Sequence, residues 1–156
     1  MPPPLWQCPR CHRFFANRNQ SHACGRYHLR DHFADRDPEV VRTFRALLHA
    51  ARQCGPVKVL PEKTRVAFQV RMSFAAFSLR RNWIDGHVVL ARRRESPRFS
   101  KIQEFSPINQ LHQFRIYRAE EVDVEVVDWL REAYAVGEQR HLKSRRSPSA
   151  RGGENV

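Results

Sequence analysis

The stretch "FAAFSLRRNWIDGHVVLA", residues 74–91, decides the fold class of this chain. It contains two short, mainly apolar segments, residues 74–80 and 87–91, which are separated by a stretch with turn residues. Segments of this length with turn residues between them are typical of β-strands. Asp85-Gly86 is a dipeptide that favours the tight turn of a hairpin. The stretch therefore predicts two adjacent antiparallel strands with their turn near Asp85 and Gly86.

The same pattern continues on both sides of this hairpin, over residues 57–117. Four more candidate strands cover residues 57–60, 64–70, 101–105 and 112–117. Because the strands follow one another so closely, we expect an antiparallel meander sheet.

Two amphipathic helices flank the predicted sheet. The first begins at Asp37-Pro38, a capping carboxylate followed by proline at the first helical position, and ends before Gly55. The second covers "AEEVDVEVVDWLREAYAVG", residues 119–137, with acids in its first turns and glycine at its end. The sequence therefore predicts an α+β domain over residues 36–137.

A group of cysteine and histidine residues precedes this domain, within residues 6–35. Cys8 and Cys11 form a C-x2-C pair, whose spacing lets one tight turn direct both thiolates at a single metal ion. Two further ligands would close a tetrahedral zinc site, and the downstream candidates are His22, Cys24, His28 and His32. The segment predicts a small N-terminal zinc knuckle with a structural metal, because four protein ligands leave no position open for water.

The spacing allows two ligand sets. Cys24 with His28 gives C-x2-C-x12-C-x3-H, which is close to a small ββα finger. His22 with Cys24 gives C-x2-C-x10-H-x-C, in which the last pair flanks a turn. Both sets contain three thiolates and one imidazole, so both predict zinc.

The strongly basic composition favours an anionic partner. The formal net charge is +12, with 24 arginines against 4 lysines. A GC-rich genome can also produce such an arginine bias, so charge alone does not establish the partner. The charge is unevenly distributed: residues 80–101 carry a net charge of +5, and residues 119–132 carry −5. The folded molecule therefore has either one basic and one acidic face, or two segments that neutralise each other.

The candidate contacts to nucleic acid or another polyanion lie on the predicted sheet. Trp83 is a candidate stacking residue, and three consecutive arginines after the fourth strand are candidate phosphate contacts. The set is Arg80, Arg81, Trp83, Arg92, Arg93 and Arg94. We therefore expect a non-catalytic protein that binds nucleic acid or another polyanion through a basic sheet surface.

A second hypothesis places an anion-binding pocket in the main domain. His112 shares an apolar strand face, where a histidine is more often a hydrogen-bonded core residue. Neighbouring strands can also bring Lys63, Arg71 and Arg92 around it, which would form a phosphate or anion pocket. Such a pocket would suit one of two kinds of protein. The first is a sensory module that binds a small molecule and also docks a protein partner, and the second is an enzyme. An enzyme is less favoured, since the sequence has no glycine-rich phosphate loop, nucleophile elbow or H-E-x-x-H motif.

Five segments carry a family resemblance over residues 6–142: "CPRCHRFFANRNQSHACG", "LRDHF", "GPVKVLPEKTRVAFQVRMSFAAF", "LARRRESPRF" and "AYAVGEQRHL". Together they resemble the bacterial domain-of-unknown-function family 5655. The opening C-P-x-C with N-Q-x-H-x-C-G also resembles the leader of small YdhG-like proteins. That resemblance implies Cys8, Cys11, His22 and Cys24 as the metal ligands, with His28 facing solvent. It implies no biochemical activity.

The remaining segments are short. Residues 1–5 form a proline-rich leader, and residues 138–156 form a polar, basic tail that we expect to be disordered. No apolar run approaches the roughly 18 to 20 residues of a membrane helix, and the N-terminus lacks the hydrophobic segment of a signal peptide. We therefore expect a cytoplasmic protein with no membrane contact.

Overall fold

The computed structural model describes residues 3–22 and 24–140. The strands are β1 (Trp6–Gln7), β2 (Phe14–Phe15), β3 (Lys58–Pro61), β4 (Val66–Gln69), β5 (Ser73–Leu79), β6 (Ile84–Leu90), β7 (Phe99–Ser106) and β8 (Asn109–Ile116). The helices are α1 (Leu29–Phe33), α2 (Pro38–Arg52) and α3 (Val124–Gly137), with a short 3-10 helix at Ala119–Glu121. The first two residues of the leader and residues 141–156 of the expected tail lie outside the described residues.

The main sheet has six antiparallel strands in the order β3-β4-β5-β6-β8-β7. The predicted α+β class is confirmed, and each of the six candidate strands forms. The order differs from a chain-order meander at one place, because β8 lies between β6 and β7. The burial pattern agrees with this order: β8 alternates buried and half-buried residues with one exposed residue, Arg115, whereas β7 is half-buried to exposed along its length.

The hairpin of β5 and β6 forms, but its turn lies earlier than predicted. The backbone N–H of Arg80 donates to the carbonyl of Trp83 at 2.8 Å, which closes the turn there. Asp85 and Gly86 lie inside β6, paired with β5 and β8. A Cβ atom on Gly86 would lie 2.7 Å from the ring of Phe77, so this glycine serves a close packing contact rather than a turn.

Helices α2 and α3 begin at side-chain caps, as the sequence predicts for α2. Asp37 accepts a hydrogen bond from the backbone N–H of Glu39 at 2.9 Å, and Asp123 accepts one from Val126 at 3.1 Å. The two helices contact each other and one face of β5 and β6. The core between helices and sheet contains these fully buried side chains: Phe44, Leu47, Phe68, Phe77, Ile84, Ile116, Trp129 and Leu130.

The N-terminal segment 6–28, which we call the knuckle, is attached to the β3 end of the sheet. The carbonyl of Phe14 accepts a hydrogen bond from the side-chain amide of Gln69 at 3.0 Å. The ammonium group of Lys58 lies 5.4 Å from the centre of the Phe14 ring. These contacts fix the position of the knuckle relative to the main domain. None of the described helices is long and apolar enough to span a bilayer.

Candidate metal centre

The predicted ligands Cys8, Cys11, His22 and Cys24 converge in the knuckle, where their four donor atoms all lie within 4.8 Å of one another. The sulfur atoms of Cys8 and Cys24 are 3.8 Å apart. The Nε2 atom of His22 lies 3.3 Å from the sulfur of Cys11 and 3.3 Å from that of Cys24. The group can therefore hold a metal ion.

These distances agree with a tetrahedral ion at the centre of the group. Metal–sulfur bonds of about 2.3 Å and metal–nitrogen bonds of about 2.0 Å place tetrahedral sulfur atoms about 3.8 Å apart, and sulfur and nitrogen about 3.5 Å apart. The observed sulfur–sulfur distance of 3.8 Å matches, and the sulfur–nitrogen distances of 3.3 Å are slightly shorter. The four donors thus suit a closed site without a water ligand.

A tight turn carries the first two ligands. The carbonyl of Cys8 accepts a hydrogen bond from the N–H of His12 at 2.8 Å, and the N–H of Cys8 donates to Arg13 at 2.9 Å. His12 adopts a φ of 61°, in the left-handed region that reverses the chain. The turn therefore brings both sulfur atoms into the same ligand group.

A hydrogen bond outside the ligand group orients the imidazole. The Nδ1 atom of His22 lies 2.6 Å from the carbonyl oxygen of Gln20, so Nδ1 carries the proton and donates it. The lone pair of Nε2 then points toward the sulfur atoms, as metal-ligating histidines require. The ring also stacks on Phe15 with 4.0 Å between ring centres. His22 is thus held in one tautomer and one orientation.

The local electrostatics favour thiolates at two of the cysteines. Burial raises the pKa of Cys11, but hydrogen bonds from the backbone and side chain of Arg13 lower it more, to about 6. The pKa of Cys8 is also lowered, chiefly by the backbone N–H of Cys11. Because the thiolate is the form that binds metal, the lowered pKa values of these two cysteines favour metal binding.

The two alternative histidines lie outside this group. His28 is exposed and occupies the residue before α1. His32 is buried, and its Nε2 atom donates to the carbonyl of Glu62 at 2.7 Å. The C-x2-C-x12-C-x3-H set is therefore not the one that the fold assembles.

The arginine run after β6 lies against the acids of α3, so the two oppositely charged segments neutralise each other. Arg92 pairs with Glu132 at 2.7 Å, and Arg94 pairs with Asp128 at 2.8 Å. Further pairs join Arg98 to Asp123 at 3.0 Å and Arg93 to Glu95 at 2.7 Å. A nucleic acid would have to compete with these carboxylates for the guanidinium groups.

Arg80, Arg81 and Trp83 lie together at the β5–β6 turn. Asp85 accepts hydrogen bonds from Arg80 at 3.1 Å and from the indole N–H of Trp83 at 3.2 Å. The guanidinium of Arg115 lies 4.7 Å from the centre of the Trp83 ring. The ring of Trp83 is thus half-buried and already stacked, while Arg81 is exposed.

The proposed pocket of Lys63, Arg71, Arg92 and His112 is not assembled. His112 is fully buried, donates from Nδ1 to the carbonyl of Gln110 at 2.9 Å and accepts from the backbone N–H of Arg94 at 2.9 Å. Lys63 and Arg71 follow β3 and β4, so they lie at opposite ends of the paired strands. The strand register therefore separates these cations, and His112 is a hydrogen-bonded core residue.

Two features were missed in the sequence. Residues 6–28 contain four arginines and no carboxylate, which a charge count over that window would have shown. Alternation along β6 also places Asp85 and His87 on the face opposite the helices. The arginines that lie beside Asp85 and His87 on this face come from other strands. Only the register of the sheet could therefore reveal that these side chains form one group.

The comparison with known proteins gives a family but no function. The family described as "Domain of unknown function (DUF5655)" matches residues 29–137, from the first residue of α1 to the last residue of α3. No curated protein and no solved structure matches the chain. The knuckle lies outside the matched range, so its resemblance to the leaders of YdhG-like proteins stays a prediction. The match covers most of the chain, and the chain therefore belongs to the DUF5655 family.

Proposed function

We propose that this protein is a zinc-containing, non-catalytic protein that binds nucleic acid through its knuckle. The observation that carries the proposal is the contrast between two groups of arginines. Arg92 and Arg94 are paired with acids of α3. Arg10, Arg18 and Arg26 are exposed and make no ion pair with any described residue. The knuckle thus carries positive charge that no carboxylate of its own neutralises, because residues 6–28 contain none.

The ligand set supports zinc as the metal. Three thiolates and one imidazole in a closed tetrahedral arrangement form a typical structural zinc site. The carbonyl of Gln20 completes the support by holding the ring of His22. When bound, the metal supplies cross-links between the turn at Cys8 and the segment at Cys24, and it takes no part in a reaction.

Two of these exposed arginines, Arg10 and Arg26, border a cleft between the knuckle and β3. The cleft encloses about 290 Å³, and Leu60 and Pro61 of β3 form its far wall. On the knuckle side it is lined by Arg10, His12, Arg13, Arg26, Tyr27 and His28. Guanidinium groups contact phosphates, and planar rings beside them offer stacking surfaces for bases. This combination favours a nucleic acid over an acidic protein, which would use only the charges.

The metal positions the cleft. Arg10 lies between the ligands Cys8 and Cys11, and Arg26 follows Cys24 by two residues. Cross-linking the two segments therefore brings their guanidinium groups to the same cleft. We expect contacts to phosphates rather than to base edges, so affinity should fall steeply with salt concentration.

The test is fluorescence anisotropy of the zinc-loaded protein with single- and double-stranded DNA and RNA, over roughly 50 to 300 mM salt. We expect a double variant, Arg10→Ala with Arg26→Ala, to weaken binding and to reduce the salt slope by about 1.4 on a single strand, since each lost phosphate contact contributes about 0.7. The matched control is Arg92→Ala with Arg93→Ala, which removes the same charge from ion-paired positions. Equal losses in both double variants, or no binding at the lowest salt, would contradict the proposal.

A competitor separates nucleic acid from an acidic protein. Poly-glutamate offers charge without bases, so we expect it to displace the oligonucleotide only at a large excess. Displacement at equal charge concentration would mean that the knuckle recognises negative charge alone, and an acidic protein segment would then be the better partner.

A further inference from the structure

The face of the sheet opposite α2 and α3 carries a polar pocket. It has a volume of about 450 Å³ and is lined by side chains from several neighbouring strands and from the ends of β4 and β5. Its principal polar side chains are Arg65, Ser78, Arg80, Asp85, His87 and Arg115.

The strand register explains why these side chains meet. Ser78 of β5 pairs with Asp85 of β6, and Asp85 pairs with Arg115 of β8. Neighbouring strands lie about 4.8 Å apart, so these three residues form one row across the sheet. His87 lies in the next row on the same face, opposite Ala76. The small side chains of β5 leave a hollow between the longer side chains around them.

The pocket holds its positive charge in place. The Oδ1 atom of Asp85 accepts a hydrogen bond from Arg115 at 2.8 Å, and its Oδ2 atom accepts one from Arg80 at 3.1 Å. Arg65 is anchored outside the row by Glu62 at 2.7 Å. Asp85 thus orients two guanidinium groups and Glu62 holds the third, so three guanidinium groups share two carboxylates and one positive charge remains in excess. A preorganised excess of guanidinium is the environment that binds an anion most strongly.

Neutral donors complete the pocket. The hydroxyl group of Ser78 and the ring of His87 have no hydrogen-bond partner among the described residues. Burial, together with the nearby charge of Arg65, lowers the pKa of His87 to about 4. The neutral ring then offers one N–H donor at physiological pH. Charged and neutral donors therefore line the same pocket, a combination that suits a phosphate group with its three acceptor oxygens.

We propose that this pocket binds the phosphate group of a small phosphomonoester. The volume of about 450 Å³ is larger than a phosphate group alone requires, since one water molecule takes about 30 Å³. The remaining space accommodates the organic part of the ligand. This site is separate from the knuckle, and its occupation does not depend on nucleic-acid binding there.

The test is isothermal titration calorimetry of the zinc-loaded full chain with inorganic phosphate, glucose 6-phosphate and glucose. We expect glucose 6-phosphate to bind with a stoichiometry of one, inorganic phosphate to bind more weakly, and glucose not to bind.

Arg65→Gln should weaken the binding of glucose 6-phosphate about tenfold, because it removes a charge-assisted contact. Arg131→Gln removes the same charge from an exposed position on α3 and should change nothing. Inorganic phosphate binding as tightly as the ester would assign the site to the free ion and overturn the proposal.

Misfolding of a variant could explain a loss of affinity but not a gain, so a variant with an expected gain is also tested. Asp85→Asn removes the negative charge and keeps one of the two acceptor oxygens, so one of the two guanidinium groups stays anchored while both lose their ionic partner. We expect the affinity for glucose 6-phosphate to rise several-fold. Loss of affinity in Asp85→Asn, equal losses in Arg65→Gln and Arg131→Gln, or no saturable binding of either phosphate ligand would overturn the proposal.

The variants also keep the two proposals apart. We expect Arg10→Ala with Arg26→Ala to retain phosphomonoester binding, and Arg65→Gln to retain oligonucleotide binding. If the knuckle variant abolished phosphomonoester binding, the ligand would occupy the knuckle cleft instead of the sheet pocket.

Discussion

At the scale of single residues, His22 shows what spacing cannot decide. Counting along the chain allowed either His22 or His28 as the fourth ligand. The structure selects His22 because the carbonyl of Gln20, two residues earlier, holds its ring through Nδ1. A backbone hydrogen bond of this kind depends on the conformation of the loop, which the residue types alone do not determine. The three cysteines, in contrast, could be predicted, because their spacing left few other roles for them.

The choice of His22 can be tested by substitution. We expect His22→Asn to lower zinc affinity by at least tenfold, because it removes a ligand. Loss of an outer-shell partner alone typically lowers metal affinity by about tenfold to a hundredfold. His28→Asn is the matched control and should bind one zinc ion with unchanged affinity. Competition with a chromogenic chelator measures both. A larger loss in His28→Asn than in His22→Asn would restore the alternative ligand set.

At the scale of elements, the sequence predicted all the strands of the main sheet and both long helices, but not every connection. Local patterns decide where a strand forms, since alternation and turn residues act over a few positions. Pairing is a property of distant segments, so the insertion of β8 between β6 and β7 was not visible. The turn at Asp85-Gly86 was misplaced because a glycine required for packing has the same sequence signature as one required for a turn.

The packing role of Gly86 gives a stability prediction. Gly86→Ala places a methyl group against the buried ring of Phe77, at 2.7 Å before any relaxation. We expect the free energy of unfolding to fall by about 1 to 3 kcal/mol, as overpacking of a core usually costs. Asn82→Ala, in the exposed turn, should change it by less than about 0.5 kcal/mol. Urea denaturation measures the free energy of unfolding of both variants. A larger loss in Asn82→Ala than in Gly86→Ala would contradict the packing role of Gly86.

At the scale of the whole molecule, the distribution of charge matters more than its sum. The net charge of +12 suggested a basic sheet surface, and the segment charges of +5 and −5 left open whether they would meet. They do meet, because the connection between β6 and β7 lies against α3. No acidic segment among the described residues pairs with the knuckle in this way. A sequence gives the charge of each segment, but only the fold shows which charges remain available to a ligand.

The measurement that tests the central claim most directly is NMR spectroscopy of isotope-labelled protein with a single-stranded oligonucleotide, before and after metal removal by a chelator. We expect the zinc-loaded protein to show shifts of the amide signals within residues 6–28. After chelation, the signals of these residues should collapse to unfolded positions and oligonucleotide binding should be lost, while the signals of residues 29–137 persist. Oligonucleotide shifts located on the sheet, or binding that survives verified removal of the metal, would contradict the account.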